Sequence, residues 1–491
     1  MKTIKKYLVI AGMLWCTACQ KEYLERVPLD SINTENFYRT ADDAIAAING
    51  AYQPLQWPKL YNMRMWTTDI WAGNSQVGAG GGTDGIETQD IANFVTTTDN
   101  AAALDVWRGP APGILRCNTV LQRVPDIEMD EELKNRILGE AKFLRAHYYF
   151  ILAQLFGDVP LILIPQGPDD DLYPPRTPKA EVYQQIIQDL TEAIDQLPDA
   201  FTYAAEDKGR ASKGAAAGLL AKVYVVLGDY AQALTYVELV ESLGYQLNAS
   251  YADNFNTARK NGPESLFEVQ YIGRTSADFW SDDNQASWLS TFMGPRNSNL
   301  AEGGWGWNQP TREFIDAYEN GDLRKDVTVF YEGCPAFDGQ AYKASYSMTG
   351  YNVRKFMASR SIAPTYDASP INFPVLRYAD ILLLKAEALN ELGRSDEAEA
   401  PLNDVRQRAG LPGVSGLDQA SLRDRILHER RMELAFEGHR WFDLIRIQDG
   451  QYGLNFLHSI GKVNATQKHL LLPIPQQERD ANGNLTQNPG Y

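Results

Sequence analysis

Two stretches far apart in the chain follow one plan, and that plan restricts the fold more than any other feature. In the first, Ala216, Leu220, Val223 and Leu227 recur at helical steps and run into Gly228-Asp229-Tyr230, after which Ala233, Val237 and Val240 continue the pattern. In the second, Ile381, Leu384, Ala388 and Leu392 run into Gly393-Arg394-Ser395, followed by Ala398, Leu402, Val405 and Ala409. Each reads as a helix, a Leu-Gly turn and a second helix, with small alanines where two helices must approach. A hairpin of this kind cannot bury its apolar face alone and needs neighbours to stack on.

That is the logic of a tetratricopeptide repeat. Other segments supply the neighbours. Thr40 is a fair N-cap for a helix through Ala44, Ile48 and Tyr52, with Asp42 and Asp43 in its first turn. Ile137, Ala141, Leu144, Tyr148, Leu152 and Leu155 mark a long helix that ends at Phe156-Gly157-Asp158, and Tyr183, Ile187, Leu190, Ile194 and Leu197 mark another, closed by Pro198. The prediction is an all-α fold, a tetratricopeptide-like superhelix whose repeats are separated by long insertions. Short strands are expected around Leu266–Tyr271 and Leu470–Pro473.

Residues 57–110 and 270–310 show no sustained helical period and carry Gly78 to Gly82 and Gly303-Gly304. They hold Trp57, Trp66, Trp71, Trp107, Tyr271, Trp280, Trp288, Trp305 and Trp307, so eight of the 10 tryptophans fall there. Long aromatic-rich loops inside a compact chain are functional more often than disordered. Sugar rings lay C–H faces on aromatic rings, and nearby amides and carboxylates take their hydroxyls. The candidates for glycan contact are Trp66 and Trp71 with Asp69 and Asn74, Trp280 and Trp288 with Asp282, Asp283 and Asn284, and Trp305 and Trp307 with Asn308. The competing reading is that these rings plug the loops onto the scaffold or face a partner protein.

The N-terminus has Lys2, Lys5 and Lys6, an apolar run from Tyr7 to Trp15, and Cys16-Thr17-Ala18-Cys19. This is the layout of a bacterial lipoprotein signal. The expectation is a signal peptide over 1–18, lipidation at Cys19 and a tether over 19–36. The alternative is an ordinary secretory signal cleaved after Ala18. A membrane-crossing helix takes about 20 consecutive apolar residues, and this run is too short. Net charge is −17 and grows more negative when the three lysines leave, so nucleic acid is not an expected partner. With Cys19 lipidated, Cys117 and Cys334 are the only cysteines left that can pair, and nothing in the sequence brings them together. Once the leader with Cys16 is removed no CxxC remains, HExxH does not occur, and Asp169-Asp170-Asp171 lacks the spaced ligands of a calcium loop, so no metal or cofactor is expected.

An ordered series of motifs runs nearly the whole length. It begins at Cys19 with Tyr23-Leu24-Glu25 and Pro28, then Phe37-Tyr38, Asn49-Gly50-Ala51-Tyr52 and Cys117-Asn118. Gly139 to Phe150 follows, then Gly157-Asp158-Val159-Pro160-Leu161 and Gly209 to Ala216. The series continues with Leu376 to Asp380, Asn403 to Arg406, Glu429 to Arg446, Leu472-Pro473-Ile474-Pro475, Glu478 and Gln487 to Tyr491. In these the chain resembles the SusD/RagB family of Bacteroidetes outer-membrane nutrient-binding lipoproteins. It departs from the family's pattern at Gly109-Pro110-Ala111-Pro112-Gly113, where the helix before Asn118 is expected to start at Pro112.

The resemblance implies a SusD-like N-terminal helical region over 37–260 and a RagB/SusD C-terminal region with ligand-binding insertions over 261–491. It implies a lipid-anchored protein on the extracellular face of the outer membrane. Such a protein captures an oligosaccharide and delivers it to a SusC-like TonB-dependent transporter without altering it. Alternatives are a peptide or glycopeptide ligand, a glycoside hydrolase, and a pure protein-interaction scaffold. A hydrolase needs two placed carboxylates. The charge-rich segment 423–446 is read instead as one helix of i,i+4 pairs such as Arg425–Glu429 and Glu433–Glu437, balanced by neighbouring arginines and partly buried. His147 is read as a packed, hydrogen-bonded residue.

Overall fold

The computed structural model describes residues 37–78, 84–167, 169–273 and 281–491. The leader, Cys19, the tether and Trp280 lie outside them. The N-terminal half is helical. Helix α1 (Ala41–Tyr52) starts from a capping box: Asp43 N donates to Thr40 Oγ1 at 3.2 Å while Thr40 N donates to Asp43 Oδ2 at 2.9 Å. Where no helical period was legible, three short helices occur: α2 (Arg64–Trp71), α3 (Ile86–Ala92) and α4 (Ala101–Arg108). The expectation of an irregular stretch fails because all eight residues of α2 are buried. A helix with no exposed face shows no amphipathic repeat.

Strand β1 (Ser75–Val77) lies between α2 and α3. Helix α5 (Ala111–Arg123) begins one residue before Pro112, which sits in the first turn where its missing N–H costs nothing. The long α6 (Glu131–Phe156), α7 (Lys179–Gln196), α8 (Lys213–Leu227) and α9 (Tyr230–Ser242) follow. Arg145 of α6 clamps α7 through a two-pronged pair with Asp189, at 2.8 and 2.7 Å, and holds Asn118 Oδ1 of α5 at 3.0 Å. His147 is packed and hydrogen-bonded as expected: Tyr61 Oη lies 2.8 Å from its Nε2, and burial holds its pKa down to about 3.

In the C-terminal half, β2 (Ser265–Val269), α10 (Leu289–Met293), β3 (Asn308–Pro310), α11 (Arg312–Asp316), α12 (Lys325–Thr328), β4 (Val329–Phe330) and β5 (Asn352–Val353) are short pieces. They are followed by β6 (Phe373–Arg377) and the helices α13 (Tyr378–Glu391), α14 (Ser395–Arg408), α15 (Gln419–Glu433), α16 (Arg440–Arg446), α17 (Gln451–Ser459) and α18 (Gln476–Ala481). The strands form three antiparallel pairs: β1 with β3, β2 with β6, and β4 with β5. The strand expected at Leu470–Pro473 does not form. Leu472 N donates to Leu155 O (2.8 Å) and Ile474 N to the Gln487 side chain (2.7 Å), so no strand partner is needed.

Both Leu-Gly hairpins form as expected. Gly228 and Gly393 take φ of 75° and 74°, a left-handed turn that few side chains tolerate. The helices pack in series: α1 on α5, α5 on α6, α6 on α7, α7 on α8, α8 on α9, α9 on α13, and α13 on α14 and α15. The fold is all-α. Cys117 and Cys334 are both buried and unpaired.

The segment 423–446 departs from expectation. It is two helices, α15 and α16, broken between Leu434 and His439, with Phe436 at φ 65° and Gly438 at φ 77°. A Cβ on Gly438 would sit 2.9 Å from Met65 O, so glycine lets the break lie against α2. Its charges are not i,i+4 pairs either. Glu433 meets Arg377 (2.9 Å), Arg408 (2.5 Å) and Arg324 (3.2 Å), and Glu437 meets Arg377 and Lys355 at 2.8 Å each. Arg425 pairs with Glu319 (2.9 Å), and Glu429 with Arg324 (2.6 Å) and Arg406 (2.9 Å). Burial alone would raise the Glu433 carboxyl, but Arg408, Arg377 and Arg324 together hold it well below the usual range. These ions are dehydrated and tie α15 to β6, α12 and α14, a structural role.

Candidate functional site

Phe292, in α10, is the hub of an aromatic cluster. Trp288 stacks on it at 5.6 Å, Trp66 lies tilted at 6.0 Å, and Trp305 and Trp307 meet it edge-on at 4.8 and 5.4 Å. The chain returns to α10 through backbone bonds: Trp305 N donates to Thr291 O and Trp307 N to Phe292 O, both at 2.8 Å. Gly303-Gly304, legible in the sequence, permit this. A Cβ on Gly304 would lie 2.6 Å from Pro295 O, and Gly303, at φ 65°, rests against Tyr366.

Most of the described candidate rings are sealed in the core, in this cluster or beside it. Trp66 and Trp71 are 0% exposed and Trp288 is 1% exposed, so no ring face is left for a sugar. Trp66 donates to Asn62 O (3.2 Å), Trp71 packs edge-on against Trp441 at 6.1 Å, and Trp307 is buried under Gly85. Asn74 and Asp69 are latches. Asn74 Nδ2 donates to Asp69 Oδ1 (2.8 Å), and Asp69 also accepts Phe436 N (3.1 Å) and Gly438 N (3.0 Å). Burial raises the Asp69 pKa to about 6, with those donors pulling against it. Asn308 is fully buried in β3. Asn284 is buried as well, and its Oδ1 accepts Ala286 N (2.9 Å). These residues are corrected from ligand contacts to core, because large rings placed beside a core bury against it.

Trp305 is the exception among the described candidate rings: it keeps part of its ring outside, and of the polar candidates Asp282 and Asp283 are exposed. Beside it, Tyr366 is 46% exposed, and Thr291 links the two by accepting Trp305 N at its carbonyl and donating its hydroxyl to Tyr366 O at 2.5 Å. Nothing in the sequence pointed to Tyr366, which joins the site from a distant loop. Two exposed ion pairs border the rings, Arg296–Asp84 (3.3 Å) and Arg360–Glu302. Met348 and Ile362, 62% and 45% exposed, lie on neighbouring loops. Aromatic faces edged by carboxylates and guanidinium groups suit a ligand with alternating C–H faces and hydroxyls. A general acid needs a desolvated carboxyl, whereas Asp84 and Glu302 are solvated and paired with arginine. Among the described residues, no group of three or more His, Cys, Asp or Glu converges to hold a metal ion, and no helix is long and apolar enough to cross a membrane.

Comparison with known proteins identifies the family and the fold. Residues 244–491 match the model of the SusD family, and residues 22–225 match a family described as starch-binding and associating with the outer membrane. A SusD-like protein (P2) of Formosa agariphila is 30% identical over 99% of this chain and 100% of its own. A laminarin-binding SusD-like protein superimposes with a TM-score of 0.81 at 30% identity, covering 92% of this chain and all of that one. Surface glycan-binding protein A of Bacteroides thetaiotaomicron, in complex with laminarihexaose, does so at 0.78 and 26% identity over 91% and 99%. With matches of this extent on both halves, the chain belongs to the SusD family.

Proposed function

We propose that this protein is a cell-surface glycan-binding lipoprotein that captures an oligosaccharide on the Trp305–Tyr366 face and delivers it unaltered to a SusC-like TonB-dependent transporter. It is anchored to the outer membrane, facing outward, through lipid on Cys19. The observation that carries the reading is the pair of rings, Tyr366 exposed and Trp305 partly exposed, bordered by ion pairs, on a scaffold where Trp66, Trp71, Trp288 and Trp307 are spent on packing. Solved relatives bind laminarin and laminarihexaose, so β-glucans are the first ligands to try.

Calorimetry with laminarihexaose and maltohexaose tests the site. Wild-type protein binds one of them, and Trp305→Ala weakens that binding at least tenfold with an unchanged melting curve. Equal affinity in Trp305→Ala and Tyr366→Ala removes this face from the proposal. New reducing ends released from a glycan panel would turn the reading toward a hydrolase. Cys19→Ala, expressed in the native host, should leave the membrane fraction.

A further inference from the structure

A second recess, sharing no residue with the Trp305 face, has an open volume of about 440 Å³. Its walls are the end of α1 with the turn after it, the 206–210 loop, and β2 with Gln270; Gln285 lies at the rim. The walls are pinned in place. Gln56 Nε2 donates to Gln270 O (2.6 Å), and the Gln270 and Asn261 amides exchange bonds of 2.9 and 2.8 Å. Arg210 is held by Asp207 (2.6 Å), Glu140 (3.1 Å) and Asn49 Oδ1 (2.9 Å). Gly209, at φ 96°, lies so close to Gln270 that a Cβ would approach its amide carbon to 2.6 Å.

These bonds leave polar groups over on residues that line the recess. Among the described residues, Gln56 retains its Oε1 acceptor, Asn49 its Nδ2 donor, and Gln285 both halves of its amide. Lys208 and Glu206 stand at the opening, exposed and without a partner among the described residues, and their charges cancel. Tyr52, fixed by Ala211 N at its hydroxyl (2.9 Å), adds a partly exposed ring. A rigid, charge-balanced recess of carboxamides fits a neutral polyol, whose neighbouring hydroxyls each donate and accept. Pre-organisation lowers the ordering cost of binding there.

We infer that this recess is a second carbohydrate site, taking the end of a neutral oligosaccharide while the Trp305 face holds another part of the glycan or a second chain. The choice of saccharide among polyols rests on the function proposed above. The test is calorimetry and ligand-observed NMR on the mature protein with laminarihexaose and maltohexaose. The variants are Trp305→Ala, the double variant Lys208→Ala/Gln285→Ala, and the combined triple. Neither Lys208 nor Gln285 has a side-chain bond to lose among the described residues, so the double variant should keep its melting temperature. Residual binding in Trp305→Ala that falls at least tenfold in the triple variant is the expected result. If Trp305→Ala abolishes all binding, or its residual binding is the same in the triple variant, the second site does not exist and the Trp305 reading stands. If wild-type protein binds neither glycan, both readings fall together.

Discussion

Trp288 and Trp305 press on the same ring, Phe292, from two directions with opposite outcomes. Trp288 stacks on it and is 1% exposed, while Trp305 meets its edge and keeps part of its face in solvent. The arginines divide the same way. Arg377 is dehydrated among Glu264, Glu433 and Glu437, whereas Arg296 faces Asp84 in the open. Residue type does not assign the task; the distance from the core does. A buried ring or ion is structural because removing it leaves a hole or an unpaired charge, and one that reaches solvent can meet a ligand.

The comparison breaks first if the buried ions are dispensable. Glu433→Ala should cost about 3–5 kcal/mol, since it removes a buried carboxylate that Arg377, Arg408 and Arg324 share; a urea midpoint equal to wild type would refute a structural role. Trp288→Ala should cost about 3–5 kcal/mol through the cavity it opens, and any loss of ligand binding should follow the fraction unfolded. The expectation that Trp288 is a ligand ring would be restored by a folded variant that binds less.

Acid sharpens the contrast. Burial lowers the pKa of His147 and His439 to about 3, so the unfolded chain takes up their protons first, near 6.5. Their stabilising effect is complete above that value and drains as pH falls, by about 2 kcal/mol each at pH 5. Asp69, raised to about 6 by burial, works in the opposite direction and offsets part of this loss. Denaturation curves that coincide at pH 7 and pH 5 would contradict this reading. Tyr366→Ala comes next, with a three- to tenfold loss of glycan affinity, about 1 kcal/mol, and no change in midpoint. The smallest effect is Arg296→Ala, under about 1 kcal/mol of stability, as for solvated ion pairs generally. A larger drop would place that pair in the structural class.

Much of the scaffold was legible. The hairpins at Gly228 and Gly393 and the α1 cap follow from local spacing, because an amphipathic helix must alternate faces and a tight reversal needs a left-handed residue. Helix α2 was not, since total burial erases the polar half of the pattern. The break at Phe436–Gly438 was also missed, because its cause is Met65, hundreds of residues away. In the candidate site, the aromatic-rich insertion and Gly303-Gly304 were visible. Tyr366 was not, because no spacing rule connects it to Trp305.

The amino-acid order alone determined the helical architecture, the family resemblance and the stretch of chain from which a ligand face would be drawn. Only the tertiary structure decided which rings face outward and which charges are dehydrated. Helical periodicity and turn chemistry act over a few neighbouring residues, whereas burial is set by everything that packs against a side chain, wherever in the chain it originates.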